Sequence, residues 1–251
     1  MNVIRQTDKS QRCEGAGPEG SSLLQCFYRR LIVSCQAREG ESFRHPESQA
    51  RFAIAAVDGG AAGIRAQGAD DVRAIRSVVT VPIIGIRKLR QDDGQVLITP
   101  TFEAARELLD AGADMIAMDV TARGRHWGAI ERLKRIRAEL KLPVLADIAT
   151  VDEAMAAADA GADAVLSTMR GYTEDTAHIR AFDSEFIRDL VRRSPVPVIA
   201  EGMIETPEQA RAALDAGAYA VIVGSAITRP VTIARRFAGA LEKIGGGASA
   251  T

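Results

Sequence analysis

A (β/α)8 TIM barrel, an α/β fold, is predicted by three features of this 251-residue chain. Short apolar runs that end in an isolated charged residue alternate with helical patterns along most of the length. Two kinds of run take turns, one led by Pro and one by Gly, and equivalent positions return about every 50 residues, the length of two strand-then-helix units. The runs are apolar throughout, as in parallel strands covered by helices. Charged groups placed repeatedly at the C-terminal ends of parallel strands build one mouth, where such barrels do their chemistry. A doubly wound open sheet is the weaker reading, because no GxGxxG follows the first strand.

Residues 1–22 are polar, contain Gly and show no periodicity, so they read as a disordered leader. Leu23, Leu24 and Phe27 share one stripe of a short helix over Leu23–Arg30 that would cover the bottom of the barrel. The first strand is Leu31–Cys35. A loop with Gly40 and a helix over Pro46–Asp58 then deliver a second strand near Ala61 that closes on Arg65. The third is Ile83–Ile86, inside the Pro-led run Val81–Lys88, and Gln91–Gln95 is a polar turn. Three helical stretches share one design: Thr99–Gly112, Ala149–Gly161 and Glu205–Gly217 open on Thr or Pro, which cap or start a helix, and stop at Gly. Further strands are read near Met115–Asp119, Val144–Asp147, Ala164–Ser167, Val198–Glu201 and Ala220–Gly224. A last helix over Pro230–Ile244 completes a single domain of residues 23–244, followed by a small, flexible tail over 245–251.

With 47% hydrophobic residues the chain can bury one full core. Its 32 Lys plus Arg balance 33 Asp plus Glu, which argues against a nucleic-acid or anionic-membrane partner. No apolar run approaches the roughly 20 residues of a membrane helix, so the default is a soluble, cytoplasmic protein. The three cysteines, Cys13, Cys26 and Cys35, are odd in number and crowded near the start, and they read as reduced thiols. Cys35 reads as a buried structural thiol.

The strand ends gather Gln36, Arg65, Lys88, Asp119, Asp147, Thr168, Glu201 and Gly224 with Ser225. A lysine, several carboxylates and an arginine in one concavity suit proton transfer beside an anionic or carbonyl-bearing substrate. Gly202 after the seventh strand, and Gly224 and Ser225 after the eighth, put backbone N–H groups where this architecture cradles phosphate. Of the three histidines, His45, His126 and His178, none falls at a strand end, which disfavours a His-based metal site. An all-Asp Mg²⁺ site at Asp119 and Asp147 remains an alternative.

The segments LIVSCQ, GIRKLR, ITPTFEAARELLDAGADMIAMD, GYT, IAEGMIETPEQA and VGSAITRP, in this order between about Leu31 and Phe237, resemble the N-acetylmannosamine-6-phosphate 2-epimerase family. The resemblance implies a barrel that interconverts N-acetylmannosamine 6-phosphate and N-acetylglucosamine 6-phosphate with no metal or other cofactor. It implies that Lys88 is the base at C2, with Glu201 its acid-base or ring-opening neighbour. Gln36 and Arg65 would orient the substrate, Asp147 would line the site, and Arg229 would contact phosphate. A homodimer is implied too, and the apolar stretch Ile233–Ile244 could exchange between copies. This chain departs from the family pattern at Leu89, Arg90 and Met203, and at Arg170, which the sequence brings near the mouth.

The residue types agree with that chemistry. A closed aminohexose has a C2 proton of little acidity, so the ring must open to an aldehyde before a base can make an enolate. Lys88 accepts a proton only when neutral. A sheltered position and a nearby cation, Arg65 or Arg87, would lower its pKa from about 10.4, while Glu201 would oppose the fall. One base acting on both faces and two opposed bases both fit the sequence. Two further readings stand beside this one: a phosphosugar-binding regulatory barrel without turnover, and another phosphate-binding barrel enzyme, such as a pentose-phosphate epimerase or a synthase of the tryptophan or thiazole routes.

Overall fold

The computed structural model describes residues 23–91 and 95–245. The leader expected over 1–22 and nearly all of the tail lie outside them. Eight parallel strands close into a barrel: β1 (Leu31–Cys35), β2 (Gly63–Gln67), β3 (Ile83–Ile86), β6 (Met115–Asp119), β7 (Val144–Asp147), β8 (Ala164–Leu166), β9 (Val198–Glu201) and β10 (Ala220–Val223). The two remaining strands, β4 (Lys88–Arg90) and β5 (Val96–Ile98), form a separate antiparallel hairpin after β3. Around the barrel run α1 (Pro46–Asp58), α2 (Gly68–Arg76), α3 (Phe102–Asp110), α4 (Ala122–His126), α5 (Ala129–Arg135), α6 (Val151–Asp159), α7 (Ser184–Arg193), α8 (Pro207–Asp215), α9 (Ser225–Thr228) and α10 (Pro230–Gly245).

Strand alternation explains why the polar residues meet. Side chains two apart share a face of a strand. Ile32, Ile84, Met115, Leu145, Ala164, Ile199 and Ile222 belong to the inner cluster, so Ser34, Asp119, Asp147 and Glu201 continue that same inward series, while Lys88, Thr168 and Gly224 lie just past the ends of β3, β8 and β10. Val33, Ile64, Ile83, Ile116, Val144, Val165 and Val198 point the other way and pack under the helices. Phe27 plugs the bottom; fully buried, a side chain of its kind stabilises by roughly 2–3 kcal/mol. It lies so close beneath β2 that a Cβ on Gly63 would sit 2.4 Å from its ring.

The shared helix grammar holds. Thr101, Thr150 and Thr206 cap α3, α6 and α8, each accepting a hydrogen bond from the amide three residues on. Each helix ends before a Gly with positive φ: Gly112, Gly161 and Gly217.

Several expectations are corrected. Leu23–Phe27 is a single 3-10 turn rather than a helix to Arg30, because the chain must turn at Arg29, whose φ is 55°, to enter β1. Strand β2 begins at Gly63, not near Ala61, since Gly59, Gly60 and Ala61 donate back to the last turn of α1. Arg65 is therefore the middle residue of its strand. The turn expected over Gln91–Gln95 joins β4 to β5, and its residues 92–94 lie outside the described residues. Cys35 is free and buried, as expected, but Cys26 is disulfide-bonded. The two sit on opposite sides of β1, Cys26 in the bottom turn and Cys35 at the strand's upper end, so their surroundings differ.

Candidate active site

Arg65 is the centre of the mouth. It is 1% exposed, and two strands separate β2 from β7 on one side and from β9 on the other. Its Nη2 donates to both Asp147 carboxylate oxygens at 2.7 Å, and its Nη1 donates to Glu201 Oε1, also at 2.7 Å. Burial lowers the Arg65 pKa, but the two carboxylates outweigh it and the net shift is upward. Burial of Asp147, with the Glu201 charge added, pushes its carboxyl up against the pull of Arg65. One guanidinium thus serves two acids in a dry site, which holds both in fixed places.

Glu201 is gripped from a second side. Thr168 Oγ1 donates to its Oε2 at 2.9 Å, and Ser167 Oγ accepts from its amide at 3.0 Å while donating to its carbonyl at 2.8 Å. Thr168 and Ser167 belong to a 3-10 turn, Ser167–Met169, that follows β8, where strand was expected through Ser167. Gln36 donates from Nε2 to Ser34 Oγ at 2.6 Å; its buried Oε1 has no hydrogen-bond partner and is an acceptor for a ligand N–H or O–H.

Lys88 departs from expectation. It stands beyond the end of β3, as the first residue of β4, and the residue is exposed at the open mouth. Protein nevertheless crowds its amine. That crowding is the largest cause of a pKa lowered to about 8; the Arg65 charge adds to it, Glu201 and Asp147 oppose it, and Arg38 adds a little more. The cations responsible are Arg65 and Arg38, not Arg87.

At the top of β9 and β10, Gly202 has φ 102°, a conformation that a side chain would strain, and Gly224 precedes α9. The amides of Ser225 and Ala226 belong to the first turn of α9, where no intrahelical acceptor exists. Arg229 ends that helix, and its guanidinium is held by Glu41 of the loop after β1, with Nε 3.1 Å from Oε1 and 3.2 Å from Oε2. Arg170 lies beside the mouth, as expected: its guanidinium is 3.7 Å from the Phe186 ring centroid and 3.2 Å from Asp183 Oδ2, in a recess that Glu201, Gly202 and Met203 also line.

Asp119 and Asp147 do not form a cation site. Thr121 donates to Asp119 Oδ1 from its amide at 3.0 Å and from Oγ1 at 2.6 Å, and Arg123 takes Oδ2. Among the described residues, no three His, Cys, Asp or Glu side chains are grouped to hold a metal. Sequence reading missed the hairpin that carries Lys88. The signal was present in the alternation of Leu89 and Leu97 about a turn, but β4 is too short and polar to stand out.

Residues 49–243 match the protein family NanE, described as "Putative N-acetylmannosamine-6-phosphate epimerase". The chain belongs to this epimerase family. A relative from Caldanaerobacter subterraneus bearing that designation, as a 2-epimerase, is 45% identical over 218 residues, 86% of this chain and 92% of the relative. Another, from Cutibacterium acnes, is 46% identical over 216 residues, 84% and 93% of the two chains. The solved structure of the N-acetylmannosamine-6-phosphate 2-epimerase from Clostridium perfringens superposes with a TM-score of 0.82 at 40% identity, covering 90% of this chain and 99% of that one. Family membership and barrel agree with what the motifs of the sequence imply.

Proposed function

We propose that this chain interconverts N-acetylmannosamine 6-phosphate and N-acetylglucosamine 6-phosphate, with Lys88 moving the C2 proton and Glu201 the proton of ring opening. The observation that carries the reading is the Arg65 fork: one buried guanidinium fixes Glu201 and Asp147 across the lumen within electrostatic reach of Lys88.

In the open-chain sugar the C1 aldehyde acidifies C2–H, and removal of that proton gives an enolate that is planar at C2. Lys88, with its pKa near 8, is neutral in a useful fraction of molecules at neutral pH and can take the proton. The positive charge of the ammonium so formed, together with that of Arg65, favours the negative enolate. Once rotation about the C2–C3 bond presents the other face of C2, the Lys88 ammonium returns a proton there, which completes inversion and restores the neutral amine. Glu201 is steadied by Arg65 and Thr168 to exchange a proton with the ring oxygen and the C1 hydroxyl. Gln36 Oε1 is free to accept from the acetamido N–H or a hydroxyl, and Asp147 keeps Arg65 in place. The phosphate is read onto the amides of Gly202, Gly224 and Ser225, with Arg229 beside them. Because such a substrate is a metabolite of the cell interior, the cytoplasm is the compartment proposed.

A homodimer is part of this reading. From Pro230 to Leu241 no side chain of α10 is buried, and Phe237 and Leu241, one turn apart, are 72% and 70% exposed. An apolar stripe of that kind calls for a cover, and a second copy supplies it. Light scattering should give twice the chain mass, and F237D/L241D should give the monomer; a monomeric parent protein would refute the assignment.

The activity itself is tested by proton NMR of purified protein with N-acetylmannosamine 6-phosphate in D₂O. Appearance of the gluco epimer with deuterium at C2 is expected, and Lys88→Met should stop both while phosphosugar binding persists. Binding without interconversion by the parent protein would mean a non-catalytic phosphosugar receptor instead.

A further inference from the structure

Strand β4, which carries Lys88, has no buried residue of its own: Lys88, Leu89 and Arg90 are all exposed. Burial does not hold it, and its backbone is paired along its whole length with β5. That strand is anchored at both ends. At the base, Thr99 follows β5 with φ 47°; its amide donates to Arg87 O at 2.6 Å, and its buried hydroxyl accepts from Arg87 N at 3.1 Å while donating to Ala117 O of β6 at 2.7 Å. At the far end, Arg123 of α4 donates from Nη2 to Val96 O at 2.8 Å and from Nη1 to Gln95 Oε1 at 2.9 Å. The same guanidinium reaches Asp119 Oδ2 at 3.2 Å, and Asp119 is 1% exposed at the end of β6. Val96 is paired with Arg90, so Arg123 grips the hairpin across from the last residue of the lysine's strand.

We infer that Arg123 is a positioning residue for the proposed base: through Val96 and Gln95 it clamps the β4–β5 hairpin onto the barrel and thereby sets where Lys88 stands. The inference rests on the reading of Lys88 as the base. Asp119, which looks in the sequence like another acid of the mouth, has its carboxylate spent on this clamp and on Thr121. A lysine could not replace Arg123, because a single ammonium cannot present two parallel N–H groups to a backbone carbonyl and a side-chain amide while keeping the carboxylate. Thr99 is the second anchor of the same device.

Arg123→Ala and Arg123→Lys would be compared with the parent enzyme, with Thr99→Ala as an independent way of loosening the hairpin should R123A fold poorly. Deuterium exchange of the 88–98 segment should accelerate in R123A and T99A while the barrel strands stay protected. In R123A kcat should fall by roughly tenfold or more with KM little changed, since misplacing a catalytic group by an ångström costs rates of that order. The acidic limb of kcat/KM should move to higher pH as Lys88 leaves its crowded position and the Arg65 charge, and R123K should recover only part of the loss. Unchanged exchange in R123A and T99A would remove the clamp. Faster exchange with unchanged kcat and pH limb would show a clamp that does not position the base. An active Lys88→Met enzyme would instead overturn the base assignment on which the inference stands.

Discussion

Arg65 Nη1 stands 2.7 Å from Glu201 Oε1, although 136 positions separate the two residues in the chain. That single contact turns a row of strand ends into a site. Its partner bond to Asp147 makes the arginine a shared counter-ion, so removing it leaves two acids facing each other in a dry lumen.

Arg65→Ala should therefore destabilise the barrel more than a usual surface change would, by about 3–5 kcal/mol. Urea unfolding followed by circular dichroism measures it. A loss well under 1 kcal/mol would show that the two carboxylates simply take up protons without consequence.

The rate should follow the titration of Lys88. With its pKa lowered to about 8, log kcat/KM should rise with pH and level off above that value. Glu201 and Asp147 both raise the lysine's pKa, so in Glu201→Gln the acidic limb of the residual C2 exchange should move to lower pH. A shift to higher pH would contradict the charge arrangement.

Thr168→Val keeps the volume but deletes the hydroxyl that donates to Glu201 Oε2. We expect kcat to drop on the order of tenfold, the scale of one hydrogen bond to a charged group, with Thr168→Ser restoring most of it. Equal losses in the Ser and Val variants would point to packing rather than to the hydrogen bond.

Cys35 should resist alkylation in the native protein. Burial, helped by the nearby Asp71 charge, pushes its thiol up to about 12, so almost no thiolate forms near neutrality. Iodoacetamide labelling read by peptide mass spectrometry should modify Cys35 only once denaturant is added; rapid native labelling would contradict its burial.

Gly63→Ala should cost about 1–3 kcal/mol, because the new methyl collides with the Phe27 ring beneath β2. Phe27→Leu in the same chain should recover part of the loss. Thermal melts of the two variants would decide it.

The sequence by itself determined the barrel and most of the mouth. Apolar runs such as Ile83–Ile86 and Val198–Glu201 have one geometry available when helices cover them, and the period of two then sends Asp119, Asp147 and Glu201 inward alongside Met115, Leu145 and Ile199. The Thr and Gly punctuation of α3, α6 and α8 is equally local, since caps act within one turn. Tertiary structure alone decided what those groups bind. That Arg65 spends its fork on Asp147 and Glu201, that Arg229 faces Glu41, and that Lys88 rides on a hairpin held by Arg123 are contacts between distant segments. Local propensity carries no information about them: a strand-end charge shows in the sequence, but its counter-ion is chosen by the closure of the barrel.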